Sequence, residues 1–239
     1  MEVHRPKAVH GWRELLSEVG VIVIGIAIAL SGEQLIEALH WRHQAEAGEA
    51  SLKRDYAREL QNAARRDIAS VCIARRLDAL TGVVQTATVD GALPPSGPIG
   101  HPPYTPWTIR AWDALVASQT VSHLPRGKQI AYTEIAQLTR YLSDLSDQEH
   151  DQWTILGSLY GPGRRLSDAE AEQLRIALAR AKDSDIGMRQ ASARLRLAVK
   201  ATGLLAPNEV AEAEKTPADD KDLLAICGPL PPLSASEPR

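Results

Sequence analysis

Phenylalanine is absent from this chain of 239 residues, and Trp and Tyr bring the aromatics to only 4%. The core has to be assembled from aliphatic side chains. An Ala- and Leu-rich interior with many Arg and Glu suits packed helices, because these residues lose little rotamer freedom there. Only two cysteines occur, too few for a four-thiolate zinc site. A basic surplus is also missing: the net charge is -3, which removes the electrostatic argument for nucleic acid as a partner. The pairs Arg65-Arg66 and Arg75-Arg76 sit among acids and read as solvated helix faces. No stretch alternates apolar and polar residues as a strand would, and no internal repeat is visible. No apolar run reaches the roughly 18–20 residues that a bilayer-spanning helix wants.

The longest apolar run is 12 residues, Val19 to Leu30. Its flanks extend it. Trp12 and Trp41 bracket it and lie 29 positions apart. On a continuous helix that is about 44 Å at ~1.5 Å per residue. A bilayer with its headgroups is ~40–45 Å thick, and Trp prefers both interfaces. Leu15, Leu16, Leu35, Ile36 and Leu39 carry the apolar content outward. Trp12, Trp41 and Arg42 are therefore the expected interface residues of a membrane anchor. Glu18 and Glu33 fall about 10–12 Å from a midplane at Gly25, at the hydrocarbon edge, where a carboxylate marks a partner or snorkels to water. Gly25 and Ala29 form a small-xxx-small pair that lets a second helix approach. The expected partners are the lipid bilayer and a protein, or a second copy, met through the anchor helix.

Two other readings of the segment are weighed. Arg5, Lys7 and Arg13 with the apolar run and Ala29-Leu30-Ser31 resemble a cleavable secretory signal. Against it, the apolar pattern continues through Leu35, Ile36 and Leu39 without a turn former. A buried helix of a soluble protein is the other. Three basic residues crowd the short N-terminal tail, and Glu33, Glu37, Glu46 and Glu49 accompany the far side. That bias favours a cytoplasmic N-terminus and a periplasmic domain of a bacterial inner-membrane protein. Cys72 and Cys227 fit either a disulfide in an oxidising compartment or two free thiols.

The fold expected is all-α: an N-terminal transmembrane helix continuing into a long helix, then an antiparallel helical bundle. The divisions are a cytoplasmic tail at 1–14, the anchor at 15–41, a long stalk-like helix at 42–89, a loop at 90–106, a bundle part at 107–205 and a weakly structured tail at 206–239. Leu52, Tyr56, Leu60, Ala64, Ile68, Val71 and Leu80 recur at helical steps, interrupted only by Gly48. Residues 90–106 hold six prolines and three glycines, which excludes regular structure. Further helices open at Pro106-Trp107 and after Pro125, the latter with a seam of Ile130, Ile135, Leu138, Leu142 and Leu145. Ser167-Asp168-Ala169-Glu170 is a capping box, with Leu174, Leu178, Ile186, Leu195 and Val199 following. A weak helix is expected over 208–214.

No catalytic motif stands clear of chance, and no cofactor or metal is expected. Glu37 and His40, with Asp147 and His150 as an imperfect second copy, have the spacing of a di-iron half-site. Such a site needs the two pairs to face each other with further carboxylates. His40, Trp41, Arg42 and His43 suit a headgroup layer better. Gly161-Pro162-Gly163-Arg164-Arg165 lacks the ending of a phosphate loop. Ser118, His123 and Asp113 lack the nucleophile elbow of a hydrolase.

The stretch EVGVIVIGIAIAL at 18–30, then Trp41 and a charged helix, together with WDALVASQTVSHL at 112–124, resembles an uncharacterised family of bacterial single-pass membrane proteins. The resemblance covers about residues 12–145 and implies a topology, an anchor helix with a helical extracytoplasmic domain, without catalytic residues. The leading expectation is a non-enzymatic protein whose domain senses or binds a partner. An accessory or assembly subunit of a larger inner-membrane complex is the second, and a metal-dependent helical-bundle enzyme the third.

Overall fold

The computed structural model describes residues 11–215 and 221–230. Most of the 1–14 tail, with Arg5 and Lys7, lies outside them, as does the end of the chain from 231. The described protein is mostly helical: α1 (Trp12–Asp90), β1 (Ala92–Leu93), α2 (Arg110–Ala117), α3 (Arg126–Leu156), β2 (Arg164–Arg165), α4 (Asp168–Ala201), α5 (Pro207–Ala213) and α6 (Lys221–Cys227), with single 3-10 turns at Thr120–His123 and Gly157–Leu159. The chain divides into two units, residues 1–47 and residues 48–239.

In the first unit, α1 is apolar on every side from 19 to 30, and no described residue covers it. Val21 is 69% exposed and Ile28 68%. β-branched residues are mediocre helix formers in water. In hydrocarbon a helix satisfies every backbone group internally, so the same run is well suited to it. Ser31 follows that rule too, donating its hydroxyl to Ala27 O at 2.7 Å.

In the second unit the same helix becomes one-sided. Leu52, Tyr56, Leu60, Ala63, Ala69, Ile73, Leu77, Leu80, Val84 and Ala87 are buried at three- and four-residue steps. Each fully buried Leu or Ile contributes roughly 1.5–3 kcal/mol relative to exposure. The stretch expected to be a stalk is therefore a core member of the bundle. Two seam positions are corrected: Ile68 and Val71 are exposed, and the stripe instead runs through Ala69 and Ile73. On the later helices Ile130 and Ile186 likewise face outward, whereas Ile135, Leu142, Leu174, Leu178, Leu195 and Val199 are buried. Gly48 does not interrupt the helix. A Cβ there would lie 2.3 Å from Leu115 Cδ2, so its bareness admits α2 against α1.

Side-chain pairs give the helix directions. Glu49 meets Lys128, and Arg66 meets Glu149, so α1 and α3 run the same way. Asp78 meets Lys182 and Asp67 meets Arg196, so α4 runs opposite to α1. The crossover from 91 to 125 that joins two parallel helices is not structureless. Gly91, at φ 69°, ends α1. β1 then pairs antiparallel with β2, Ala92 opposite Arg165, and Ser96 and Gly161 exchange two backbone hydrogen bonds of 3.0 Å. The helix expected from Pro106 begins only at Arg110. Ser167 caps α4 by accepting the Glu170 amide, and the Glu170 carboxylate is held below the usual range by Arg164, which reaches it at 2.5 and 2.9 Å.

In the tail expected from 206, a short helix lies within one residue of the expected 208–214, and a second, unexpected helix follows it. α5 opens at Pro207, its Glu209 carboxylate taking the Ala206 amide and Lys53. α6 buries Leu223 and Ile226 in the core with Ile73, Leu77 and Ile99.

Candidate functional site

One helix among the described residues is long and apolar enough to cross a membrane, and its apolar window is not buried. Trp12 and Trp41 both lie on α1, so the condition of a continuous helix behind their spacing is met. The Arg13 guanidinium sits 5.9 Å from the Trp12 ring. Trp41 donates its indole N–H to Glu37 at 3.3 Å and meets the His40 ring edge-on at 5.4 Å. Arg42 pairs with Glu46 at 3.0 Å. Amphipathic rings and i,i+4 ion pairs of this kind keep polar tips hydrated above an apolar body. Glu18 and Glu33 are exposed, as are Gly25 and Ala29, and nothing lies within 4 Å of a Cβ built on Gly25.

The two cysteines are joined. Cys72 on α1 and Cys227 at the end of α6 have Cα atoms 4.7 Å apart across 155 positions of sequence. One turn along α1, Arg76 reaches the last carbonyls of α6: its Nη2 donates to Ile226 O at 3.3 Å, Gly228 O at 2.6 Å and Pro229 O at 3.4 Å. A cation at a helix C-terminus is favourable because the free carbonyls there carry partial negative charge.

Sequence reasoning missed a charged cluster at the centre of the bundle. Arg66, 5% exposed, donates to both Glu149 oxygens at 2.5 and 2.8 Å, to Asp185 Oδ1 at 2.6 Å and to Ser70 Oγ at 3.1 Å. Arg189 closes the set on Asp185 Oδ2 at 3.3 Å. Burial alone would lower the Arg66 guanidinium, but the hydrogen bonds and charge of Glu149 and the charge of Asp185 outweigh it and raise it. Two carboxylates and two guanidiniums balance, which is how buried charge is tolerated. The reading of Arg66 and Arg76 as solvated is thus overturned. The available signal was spacing: Glu59, Ala63, Arg66, Ser70, Ile73 and Leu77 fall on one helical stripe, charges included.

A second polar cluster docks the segment before α2. Asp55 accepts the Ala111 amide at 2.9 Å, Glu59 accepts the Thr108 amide at 3.3 Å, and Arg58 donates to Thr108 O at 2.7 Å. Burial is the main reason that the Glu59 carboxyl is pushed up to about 7, against the lowering effect of Asn62, Thr108 and Arg58. A groove of about 500 Å³ runs beside this cluster between Lys53, Arg54, Arg58 and Gln61 of α1 and Leu205, Glu209 and Glu212. Its charged side chains are engaged: Lys53 with Glu209, Arg54 with Ser51, Arg58 with Asp55 and Glu212 with Lys215.

The remaining sequence candidates have other engagements. The Asp147 carboxylate accepts the Tyr104 hydroxyl at 3.3 Å, and the His150 ring stands edge-on to Tyr104 at 5.9 Å. Among the described residues no group of three or more His, Cys, Asp or Glu is placed to hold a metal ion. The Ser118 hydroxyl is paired with Thr120 at 2.8 Å, and Asp113 faces Arg140 at 3.4 Å.

Comparison with protein-family models, curated proteins and solved structures finds no match to this chain. The resemblance at 18–30 and 112–124 therefore stands on those residues alone.

Proposed function

We propose that this chain is a single-pass membrane protein of the bacterial inner membrane. Its N-terminus is cytoplasmic, and its helical domain stands in the periplasm as a non-enzymatic sensory or partner-binding module. The Cys72–Cys227 disulfide carries the reading. Such bonds persist outside the reducing cytosol, and here one follows an uncovered apolar helix bounded by Trp12 and Trp41. The test is labelling in intact spheroplasts. With a membrane-impermeant phosphine reductant followed by an impermeant maleimide, Cys227 is expected to react without lysis. Labelling that requires lysis sinks the orientation, and release of the chain by alkaline carbonate sinks the anchor.

A second reading is favoured by one feature of the anchor. At 100° per residue, Glu18, Gly25, Ala29 and Gly32 fall within about 60° of arc. Between Arg13 and Arg42 the chain has Glu14, Glu18, Glu33 and Glu37 and no Lys or Arg. That stripe suits an accessory subunit packed on a partner helix bearing a basic residue. The Glu18→Leu and Glu33→Leu variants are then expected to lose the proteins that co-purify with the wild type in mild detergent. Unchanged co-purification removes this reading and leaves the first.

A further inference from the structure

The end of the described chain is held to the bundle by few contacts, and one of them is covalent. α6 has seven residues, Lys221–Cys227. A helix that short is not stable by itself in water, because nucleation is not recovered in so few hydrogen bonds. Among the described residues its non-covalent hold includes Leu223 and Ile226 in the core, the close passage of the Ala225 carbonyl over Gly100, and the Arg76 clamp. The clamp is incomplete. One Arg76 nitrogen serves three carbonyls, while Nη1 is buried with no hydrogen-bond partner, and burial lowers this guanidinium's affinity for its proton. Cys72 and Cys227 are only half-buried, at the margin of the core, whereas Ile73 and Ile226 beside them are buried. The buried ion pairs of Arg66 with Glu149 and Asp185, which tie α1 to α3 and α4 beside the apolar core, do not involve α6.

We propose that the Cys72–Cys227 disulfide is a redox latch whose reduction by a dithiol frees α6 and uncovers the apolar face of α1 around Ile73 and Leu77, while α1, α3 and α4 stay packed. The exchange balances. A thiolate of the dithiol attacks one sulfur, forming a mixed disulfide and expelling the other cysteine as a thiolate that takes a proton. The second thiol of the reductant then closes on the first, leaving two protein thiols and one oxidised dithiol, with two electrons transferred. The inference goes beyond the anchoring reading, and its test in detergent is indifferent to the side of the membrane on which the domain lies.

The test is hydrogen exchange on the purified full-length chain in detergent micelles, with and without dithiothreitol. Peptides covering α6 are expected to exchange on the order of 10-fold faster or more after reduction, with α3 and α4 unchanged and protection restored on reoxidation. The double variant Cys72→Ser with Cys227→Ser is expected to exchange like the reduced protein without any reductant. The oxidised Arg76→Ala variant is expected to keep α6 protected. Unchanged α6 exchange on reduction overturns the latch, because the non-covalent contacts then suffice. Acceleration of every helix together overturns it as well, because the bond is then a global staple. Release of α6 in oxidised Arg76→Ala places the control in the clamp and overturns it too.

Discussion

One helix, α1, is built in two ways along its length. From 19 to 30 it is apolar around its whole circumference and no described residue covers it; from 52 to 87 it buries a single stripe and leaves Ile68 and Val71 to solvent. The first pattern has no inside, so only a surrounding apolar medium stabilises it. The second finds its inside in α3 and α4. Charge follows the same division. Among the described residues the carboxylates Glu18 and Glu33 of the first part are exposed and pair with no side chain, whereas Arg66 in the second is enclosed by Glu149 and Asp185. A charge on an apolar stripe is therefore met differently in the two parts: in one it is left to the surroundings, and in the other the chain supplies the counter-charge itself.

The strongest way to break this contrast is at Arg66. Arg66→Ala leaves Glu149 buried and uncompensated and Asp185 with Arg189 alone, with an expected loss of about 3–5 kcal/mol, read from the urea midpoint by circular dichroism. Ile24→Ala, in the uncovered part, is expected to leave that midpoint where it is. Equal midpoints for the two variants would show that the buried cluster contributes nothing.

Next comes a charge placed in each half. Ile24→Arg is expected to disfavour insertion by about 2.5–3.5 kcal/mol and move chain out of the carbonate-resistant fraction. Val71→Arg, on the exposed face of the bundled half, is expected to stay within about 0.5 kcal/mol in stability. A fully membrane-bound Ile24→Arg protein would remove the bilayer from the account of residues 15–39.

Glu59 sharpens the comparison through pH. Its carboxyl is raised from 4.5 to about 7 in the folded protein. The unfolded chain therefore gives up this proton first as pH rises. Stability from this group is full below about 4.5, declines as pH climbs, and is lost once pH passes about 7. At about 1.4 kcal/mol per pH unit, the decline is of order a few kcal/mol. The wild-type urea midpoint is expected to fall across that window, and the Glu59→Gln midpoint to stay level. A Glu59→Gln profile that slopes as steeply as the wild type would assign the effect to another group.

The smallest effect is expected at Tyr56. Its hydroxyl is buried without a hydrogen-bond partner and its ring meets Tyr132 edge-on at 6.0 Å. Tyr56→Phe is expected to be neutral or stabilising by up to about 1 kcal/mol, since it removes an unpaired polar group and keeps the ring. A clear loss in the thermal midpoint would mean that the hydroxyl has a partner in solution.

Much of the architecture was legible because it is local. The breaker-rich loop at 90–106, the start at Pro125 and the Ser167 cap are each written in neighbouring residues, and the Trp12–Trp41 spacing needs only a continuous helix. The candidate site was legible only in part. Glu18, Glu33, Gly25 and Ala29 could be singled out, because a polar or small residue in an apolar run is conspicuous. Spacing sets Arg66 apart from Arg65, since it shares a stripe with Ala63, Ser70, Ile73 and Leu77, but that Glu149 and Asp185 would meet it there depends on how α3 and α4 pack. The disulfide was left open for the same reason, since sequence separation does not report the distance between Cys72 and Cys227. The docked α6 was missed because its two core residues, Leu223 and Ile226, are too few to show a period.

The sequence by itself determined that the chain is helical and that residues 15–39 form a segment whose apolar surface has no hidden face. Composition and periodicity are properties of neighbouring residues, and they need no fold to be read. Only the tertiary structure decided that the following forty residues are core rather than stalk, that an Arg on their stripe is buried between two carboxylates, and that Cys72 and Cys227 meet. Those facts depend on which surfaces face one another across long stretches of chain, and that is settled by packing and charge compensation in three dimensions.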